Sequence, residues 1–198
     1  AAEHEAKFVS IRFTDLPGAW HHLTYPIHNL TEDVFEDGFG FDASSLRGWA
    51  VIHESDMLLI PDSSRVWIDP FAEETTICLI ANVVEPITKE GYGLDPRAVA
   101  VRGESYLRFT GIADTAYFGP EAEFFIFDDI MFDQNSHSGY YFIDSVEGIW
   151  NSGRDEKPNL GYKPRHKEGY FPVPPTDSQV NIRTEMVMEM LKVGIYVE

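Results

Sequence analysis

Lys7-Phe-Val-Ser-Ile-Arg-Phe-Thr-Asp15, then Leu16-Pro-Gly18, then Ala19-Trp-His-His-Leu-Thr-Tyr-Pro-Ile27, sets the architecture of the first half of the chain. Phe8, Val9, Ile11 and Phe13 are interleaved with polar residues, the period of a strand. Pro17 and Gly18 stand in turn-forming order, so residues 19–27 read as the returning strand of a hairpin. His21 and His22 are adjacent. In a strand they face opposite ways and cannot share one metal from that geometry, so both read as hairpin surface.

Outward from the hairpin, Thr31-Glu-Asp33-Val-Phe35 predicts a short helix capped by Thr31, with acids in its first turn and Gly38 as its end. Gly38-Phe-Gly-Phe-Asp42-Ala-Ser-Ser45-Leu-Arg-Gly-Trp49 reads as a loop, either a tight connector or a functional flap. Strands are expected at Met57–Ile60, Arg65–Ile68 and Thr75–Val84, with turns at Pro61-Asp-Ser-Ser64 and Asp69-Pro70. Strands around one short helix fit several small β-rich folds, of which a β-grasp sheet is the expectation. Lys89–Leu94, with two glycines, is a plausible domain boundary.

Beyond it, Asp95-Pro96 starts a helix as N-cap and first position, and Gly111 closes it after Thr110. Thr115–Asp128 and Tyr140–Ile143 read as strands. Residues 150–168 read as a long exposed loop. Gly169-Tyr170-Phe-Pro-Val-Pro-Pro175 is stiff and extended because its prolines fix φ. Thr176 is expected to cap a helix that runs to about Lys192, with Ile182, Met186, Met190 and Leu191 packed into a core. Ile195 begins a further strand.

The formal net charge of −18 argues against nucleic acid and anionic membranes as partners, since both need positive charge. The single Cys78 excludes an intramolecular disulfide. Its apolar neighbours Ile77, Leu79 and Ile80 make a buried, inert thiol the expectation. No apolar run has the length of a membrane helix, and the N-terminus lacks a signal peptide's apolar core. The chain reads as soluble and intracellular.

Phe118-Gly-Pro-Glu121-Ala-Glu123-Phe-Phe-Ile-Phe-Asp128 carries the chemistry. In a strand, Glu121 and Glu123 point to one face, roughly 6–7 Å apart. That spacing is too wide for one bidentate grip and suits two neighbouring cations, one per carboxylate. Hard divalent ions with oxygen ligands fit, Mg²⁺ or Mn²⁺. The competing reading is an amphipathic strand with its acidic face in water.

Taken together, Phe41-Asp42-Ala-Ser-Ser45 with Gly48-Trp49, Glu54-Ser-Asp56-Met57, Ile68-Asp-Pro-Phe71, Phe118-Gly-Pro-Glu-Ala-Glu-Phe-Phe125 and Gly169-Tyr-Phe-Pro-Val-Pro-Pro175 resemble glutamine synthetase of the bacterial dodecameric kind. Their order and spacing match along the whole chain. The pattern departs at Ala43, where the family usually has Gly, a residue that supplies backbone angles Ala resists. The resemblance implies an α+β fold. A β-grasp domain would occupy residues 1–88, and residues 89–198 would begin a catalytic, ATP–guanido-kinase-like domain, an antiparallel sheet with helices. The family chain continues past Glu198 with further metal-ligand glutamates, a histidine and phosphate- and glutamate-gripping arginines. The 198 residues alone are therefore expected to be inactive.

The reaction so implied joins ammonia to L-glutamate through a γ-glutamyl phosphate, with ATP as co-substrate and two to three Mg²⁺ or Mn²⁺ per site. Glu121 and Glu123 match the metal ligands, and Asp42 matches the carboxylate that receives ammonium and removes its proton. Ser45 and Tyr170 match that pocket's neighbours, and Glu198 matches a residue at the nucleotide. The family also implies a cytoplasmic homododecamer of two stacked hexamers with sites shared between subunits. Two rivals remain. One is a glutamate–amine ligase using a polyamine, disfavoured by Asp42, Ser45 and Tyr170. The other is a non-catalytic relative, disfavoured by Glu121 and Glu123.

Overall fold

The computed structural model describes residues 1–49, 56–151 and 161–197. These fall into two compact units, Ala1–Phe118 with Lys192–Tyr196, and Gly119–Leu191 with the terminal residues.

The first unit is built on a mixed five-stranded sheet. Its strands are β1 (Phe8–Thr14), β2 (Trp20–Pro26), β3 (Phe39–Asp42), β4 (Asp56–Ile68) and β5 (Thr76–Val84), in the order β2-β1-β5-β4-β3. The expected hairpin is present, with Phe8 opposite Pro26 and Thr14 opposite Trp20. β1 runs parallel to β5, and the other pairings are antiparallel. Val9, Ile11 and Phe13 of β1 pack with Leu59 of β4 and with Ile77, Leu79 and Val83 of β5. Fully burying each such side chain stabilises the fold by about 1.5–3 kcal/mol. Cys78 is buried, and desolvation pushes its thiol up to about 11, so it carries no thiolate at neutral pH.

Helix α1 is a single turn, Val34–Asp37. Asp33 rather than Thr31 stands at its N-cap, without a side-chain bond. Gly38 ends it at φ +79°, and a Cβ there would sit 2.7 Å from Ile60 Cδ1, so both the backbone angle and the space require glycine. The stretch after Gly38 is not all loop. Phe39–Asp42 forms β3 because β4 offers it a ladder, with Phe39 opposite Leu59 and Asp42 opposite Asp56. The two short strands expected at 57–68 are one strand, β4. The turn residues between them survive as an irregularity in its pairing with β5 between Pro61 and Val66. Asp62 Oδ1 accepts from the Ser64 amide at 2.9 Å there, and its carboxylate pairs with Arg97.

Helix α2 (Pro96–Thr110) has both expected ends. Asp95 accepts from the Arg97 amide at 2.9 Å, and Gly111 takes the left-handed conformation at φ +69°. Asp95 is also fully buried and accepts from the Val83 amide of β5 at 3.2 Å. One carboxylate thus caps the helix and ties it to the sheet.

In the second unit, β6 (Asp129–Gln134) and β7 (Gly139–Asp144) form a hairpin closed by Asn135, whose Oδ1 accepts from the amides of His137 and Ser138. The strand expected over Thr115–Asp128 is absent; only its last residue joins the hairpin, through Asp128 N–H to the Asp144 carbonyl at 2.8 Å. An alternating pattern orients side chains, but a strand also needs a neighbouring backbone to bond. None of the described residues provides one for 115–127. Helix α3 spans Val180–Lys192. Thr176, expected as its cap, lies four residues before it; just ahead of the helix, Glu147 Oε1 accepts from Ser178 N–H and Oγ–H at 2.6 and 2.7 Å. None of its residues is buried, so the Ile182, Met186, Met190 and Leu191 side does not form a core among the described residues. Gly194 stops the helix region at φ +75°, and Ile195–Val197 form no strand. No helix among the described residues is long and apolar enough to cross a membrane.

Candidate functional site

Asp42 ends β3, and Ser45 ends the 3₁₀ turn Ala43–Ser45 that follows. Both are exposed. Asp42 Oδ1 accepts from the Ser44 amide at 2.8 Å, which sets the carboxyl's direction at the end of the strand. Ala43 is fully buried beneath the turn. The described non-glycine residues with positive φ are Glu5, Lys89 and Lys167, so Ala43 adopts an angle open to any L-residue. An alanine at this position therefore costs no backbone strain.

In the second unit, Glu121 and Glu123 lie on the irregular segment before β6, and both are exposed. Glu123 and Tyr170 line one cleft of about 1060 Å³ together with Glu147, Arg165, Lys167 and Arg183; Glu121 does not line it. Tyr170 is 85% exposed, and its ring meets Phe171 edge-on at 4.4 Å. A smaller recess of about 480 Å³ shares Tyr170 and Lys167. Arg165 is engaged by Glu168 at 2.6 Å and Arg183 by Asp177. The Arg183 hydrogen bond holds the Asp177 carboxyl below the ordinary carboxylate range, and the same bond raises Arg183.

The basic run Arg165-His-Lys167 was not singled out from sequence. Its signal was three cation-capable residues immediately before Glu168-Gly-Tyr170, inside a stretch whose polar composition read as a solvated loop. Lys167 has φ +65°, an uncommon angle for a non-glycine residue.

No three His, Cys, Asp or Glu side chains gather into a metal-binding group among the described residues. The donors at Glu121 and Glu123 are nonetheless of the right kind. Both are carboxylates, and Mg²⁺ is commonly held by one or two carboxylates while it keeps several waters. Glu198, expected at the nucleotide, lies outside the described residues, as do Glu54 and Ser55 of the Glu54–Met57 motif.

Comparison with known proteins places the chain in a family. The model described as "Glutamine synthetase, beta-Grasp domain" matches residues 5–86, and "Glutamine synthetase, catalytic domain" matches residues 93–198. Glutamine synthetase of Microchaete diplosiphon is 52% identical over 196 residues, and that of Frankia alni 52% over 197. The Escherichia coli K12 enzyme is 50% identical over 197 residues. Each alignment covers 99% of this chain and 42% of the relative, so the chain spans well under half the length of these proteins. The fold matches the solved glutamine synthetase of Plasmodium falciparum with a TM-score of 0.84 at 21% identity, covering 100% of this chain and 39% of that one. Matched by that family's models along both parts of its length and about half identical to its curated members, the chain belongs to the glutamine synthetase family.

Proposed function

We propose that a full-length protein carrying this sequence ligates ammonia to L-glutamate with ATP, forming glutamine, ADP and phosphate. The observation that carries the reading is identity of about one half across 99% of the chain, with Asp42, Ser45, Glu121, Glu123 and Tyr170 all of the residue types the chemistry needs. ATP first transfers its γ-phosphoryl group to the γ-carboxylate of glutamate. Ammonia then attacks the acyl carbon, and phosphate leaves with the electrons of the broken C–O bond.

Glu121 and Glu123 would each hold one divalent ion, Mg²⁺ or Mn²⁺, in a set of two to three per site. Such ions neutralise phosphate charge and align the transferring group. Asp42 attracts ammonium by its negative charge and accepts a proton from it, and its bond to the Ser44 amide keeps the carboxylate aimed. Ser45, at the next turn position, offers a hydroxyl to the same pocket, and Tyr170 presents an exposed phenol from the second unit. Glu198 is assigned to the nucleotide. We further assign the protein to the cytoplasm as a homododecamer of two stacked hexamers, in which the Asp42 turn completes a neighbouring subunit's site. Neither nucleic acid nor membrane is a partner in this reading, in keeping with the net charge of −18.

The test compares phosphate release by the full-length protein with ammonium and with polyamines, in Mg²⁺ and in Mn²⁺. Turnover with ammonium should dominate. Faster turnover with a polyamine would transfer the assignment to a glutamate–amine ligase, and no turnover with any amine would make it a non-catalytic relative.

A further inference from the structure

We propose that Tyr92 is a positioning residue for Asp42, clamping the far end of the 42–49 segment to the sheet. The inference rests on the ammonium role proposed for Asp42. Tyr92 belongs to the connector after β5, a stretch that reads from sequence as a boundary. In the fold it is a strut. Its amide donates to the Val83 carbonyl at 2.8 Å, and its own carbonyl accepts from the Asp95 amide at 3.1 Å, so its backbone is fixed against β5. From that position its hydroxyl donates to the Trp49 carbonyl at 2.7 Å.

The segment between Asp42 and Trp49 transmits that anchorage. At its start, Asp42 is held in the ladder opposite Asp56. Successive turns then close it: Ser44 N–H to Asp42 Oδ1 at 2.8 Å, Leu46 N–H to the Ala43 carbonyl at 3.0 Å, and Trp49 N–H to the Leu46 carbonyl at 3.2 Å. One bond in that series is made by the Asp42 carboxylate itself. Release of the Trp49 end therefore loosens the turn that aims the carboxylate.

Aromatic packing supports the same clamp. Trp49 is only 6% exposed, with its ring centroid 5.2 Å from Tyr92, 6.0 Å from Phe13 and 6.4 Å from Phe41. Phe41, the residue before Asp42, also packs on Phe13 at 5.0 Å. Both ends of the segment thus converge on one cluster, so that Tyr92 and Asp42 are mechanically coupled although fifty residues separate them in sequence. A loop that must present one carboxylate to a small cation gains from such rigidity, since a displacement of about 1 Å can cost 10²-fold in rate.

The experiment uses the full-length protein and three variants: Tyr92→Phe, Asp42→Asn and the double variant. The readouts are the ammonium KM, the ATP Kd and the thermal midpoint. Tyr92→Phe removes one hydroxyl and keeps the ring. The expected result is an ammonium KM about three- to tenfold higher, the scale of one lost hydrogen bond, with the ATP Kd unchanged. In the Asp42→Asn background the same change should add nothing, because a positioning residue has no other group to act through. An effect additive with Asp42→Asn, an equal loss for ammonium and ATP, or no effect at all would each overturn the clamp. An Asp42→Asn variant with wild-type kinetics would overturn the ammonium assignment and the clamp with it. A damaged Asp42→Asn beside a silent Tyr92→Phe would overturn the clamp alone. If Tyr92→Phe does not assemble, Trp49→Phe keeps the accepting carbonyl and trims the packed ring. An ammonium-selective shift in that variant supports the clamp, and a uniform loss rejects it.

Discussion

Two hairpins of this chain, β1–β2 and β6–β7, both carry strand-forming apolar residues and have opposite surroundings. β1 places Val9 and Ile11 in full burial, because β5 pairs with it on the other side and its apolar side chains join a core cluster that includes Trp49. β6 carries Ile130, Met131 and Phe132, and all six of its residues are exposed, Phe132 by 75%. Strand-forming apolar residues occur in both, interleaved with polar ones in β1 and consecutive in β6. What decides their burial is the number of neighbouring layers, and burial of apolar area is the dominant favourable term in folding. A two-stranded ribbon with no covering layer is marginal in water. Stability in the described residues is therefore concentrated in the first unit, and the exposed aromatics of the second, Phe125 stacked on Phe127 among them, stand as unspent apolar surface.

The largest expected effect sharpens this contrast at the level of chemistry, with one residue from each unit. In the full-length protein, Asp42→Asn should lower glutamine formation by about 10²–10⁴-fold, the range for loss of a general base, and leave ATP binding nearly unchanged. Glu123→Ala should instead weaken Mg²⁺-dependent ATP binding. Nucleotide titration and steady-state kinetics on both variants decide it. Equal loss of nucleotide affinity in the two would overturn the separate roles proposed for Asp42 and Glu123.

Next in size is a packing test. Leu59 is fully buried in the first sheet, so Leu59→Ala should destabilise that unit by about 2–5 kcal/mol. Phe132→Ala should change stability by less than about 0.5 kcal/mol, as for an exposed position free of special contacts. Urea midpoints of the 198-residue chain provide the comparison, and similar costs at the two sites would break it.

A smaller effect tests how α2 is held. Asp95→Ala removes the acceptor for the Arg97 amide and also that for the buried Val83 amide. A lost cap alone costs about 1 kcal/mol, and the stranded Val83 donor should bring the total to about 2–3 kcal/mol. Hydrogen exchange should show Val83 losing protection together with the first turn of α2. Loss confined to the helix would mean that the carboxylate does not join it to the sheet.

The smallest effect is a pH dependence confined to the first hairpin. Asp15 is held below its ordinary value of 3.8, chiefly by its hydrogen bond with His21 at 2.8 Å and also by the Ala19 amide. A depressed folded pKa contributes stability that is fully present above pH 3.8 and is lost as pH falls through the folded value. Asp15→Asn should therefore flatten the acid limb of stability against pH below about 4 and leave the neutral region's slope alone. An unchanged acid limb would show that the Asp15–His21 pair makes no net contribution.

Where signals were local, the sequence was sufficient. Pro17-Gly18 predicted the first hairpin, and Asp95-Pro96 with Gly111 marked both ends of α2, because caps and turns are short-range hydrogen-bonding problems solved by the residues themselves. The apolar run around Cys78 also predicted its burial. The resemblance residues, spread along the whole chain, were enough to indicate the family. Tertiary structure decided what depended on a distant partner. Phe39–Asp42 became a strand because β4 lies beside it, whereas the strand-like residues 115–127 had no ladder to join. Pro61–Ser64 became an irregularity within β4 because Arg97 and β5 hold both sides of it. Tyr92, sequentially a connector residue, acquired its contact with Trp49 only through β5. A chain encodes its hydrogen-bonding preferences position by position, but which backbone or ring satisfies them is settled by the long-range contacts that bury the most apolar surface.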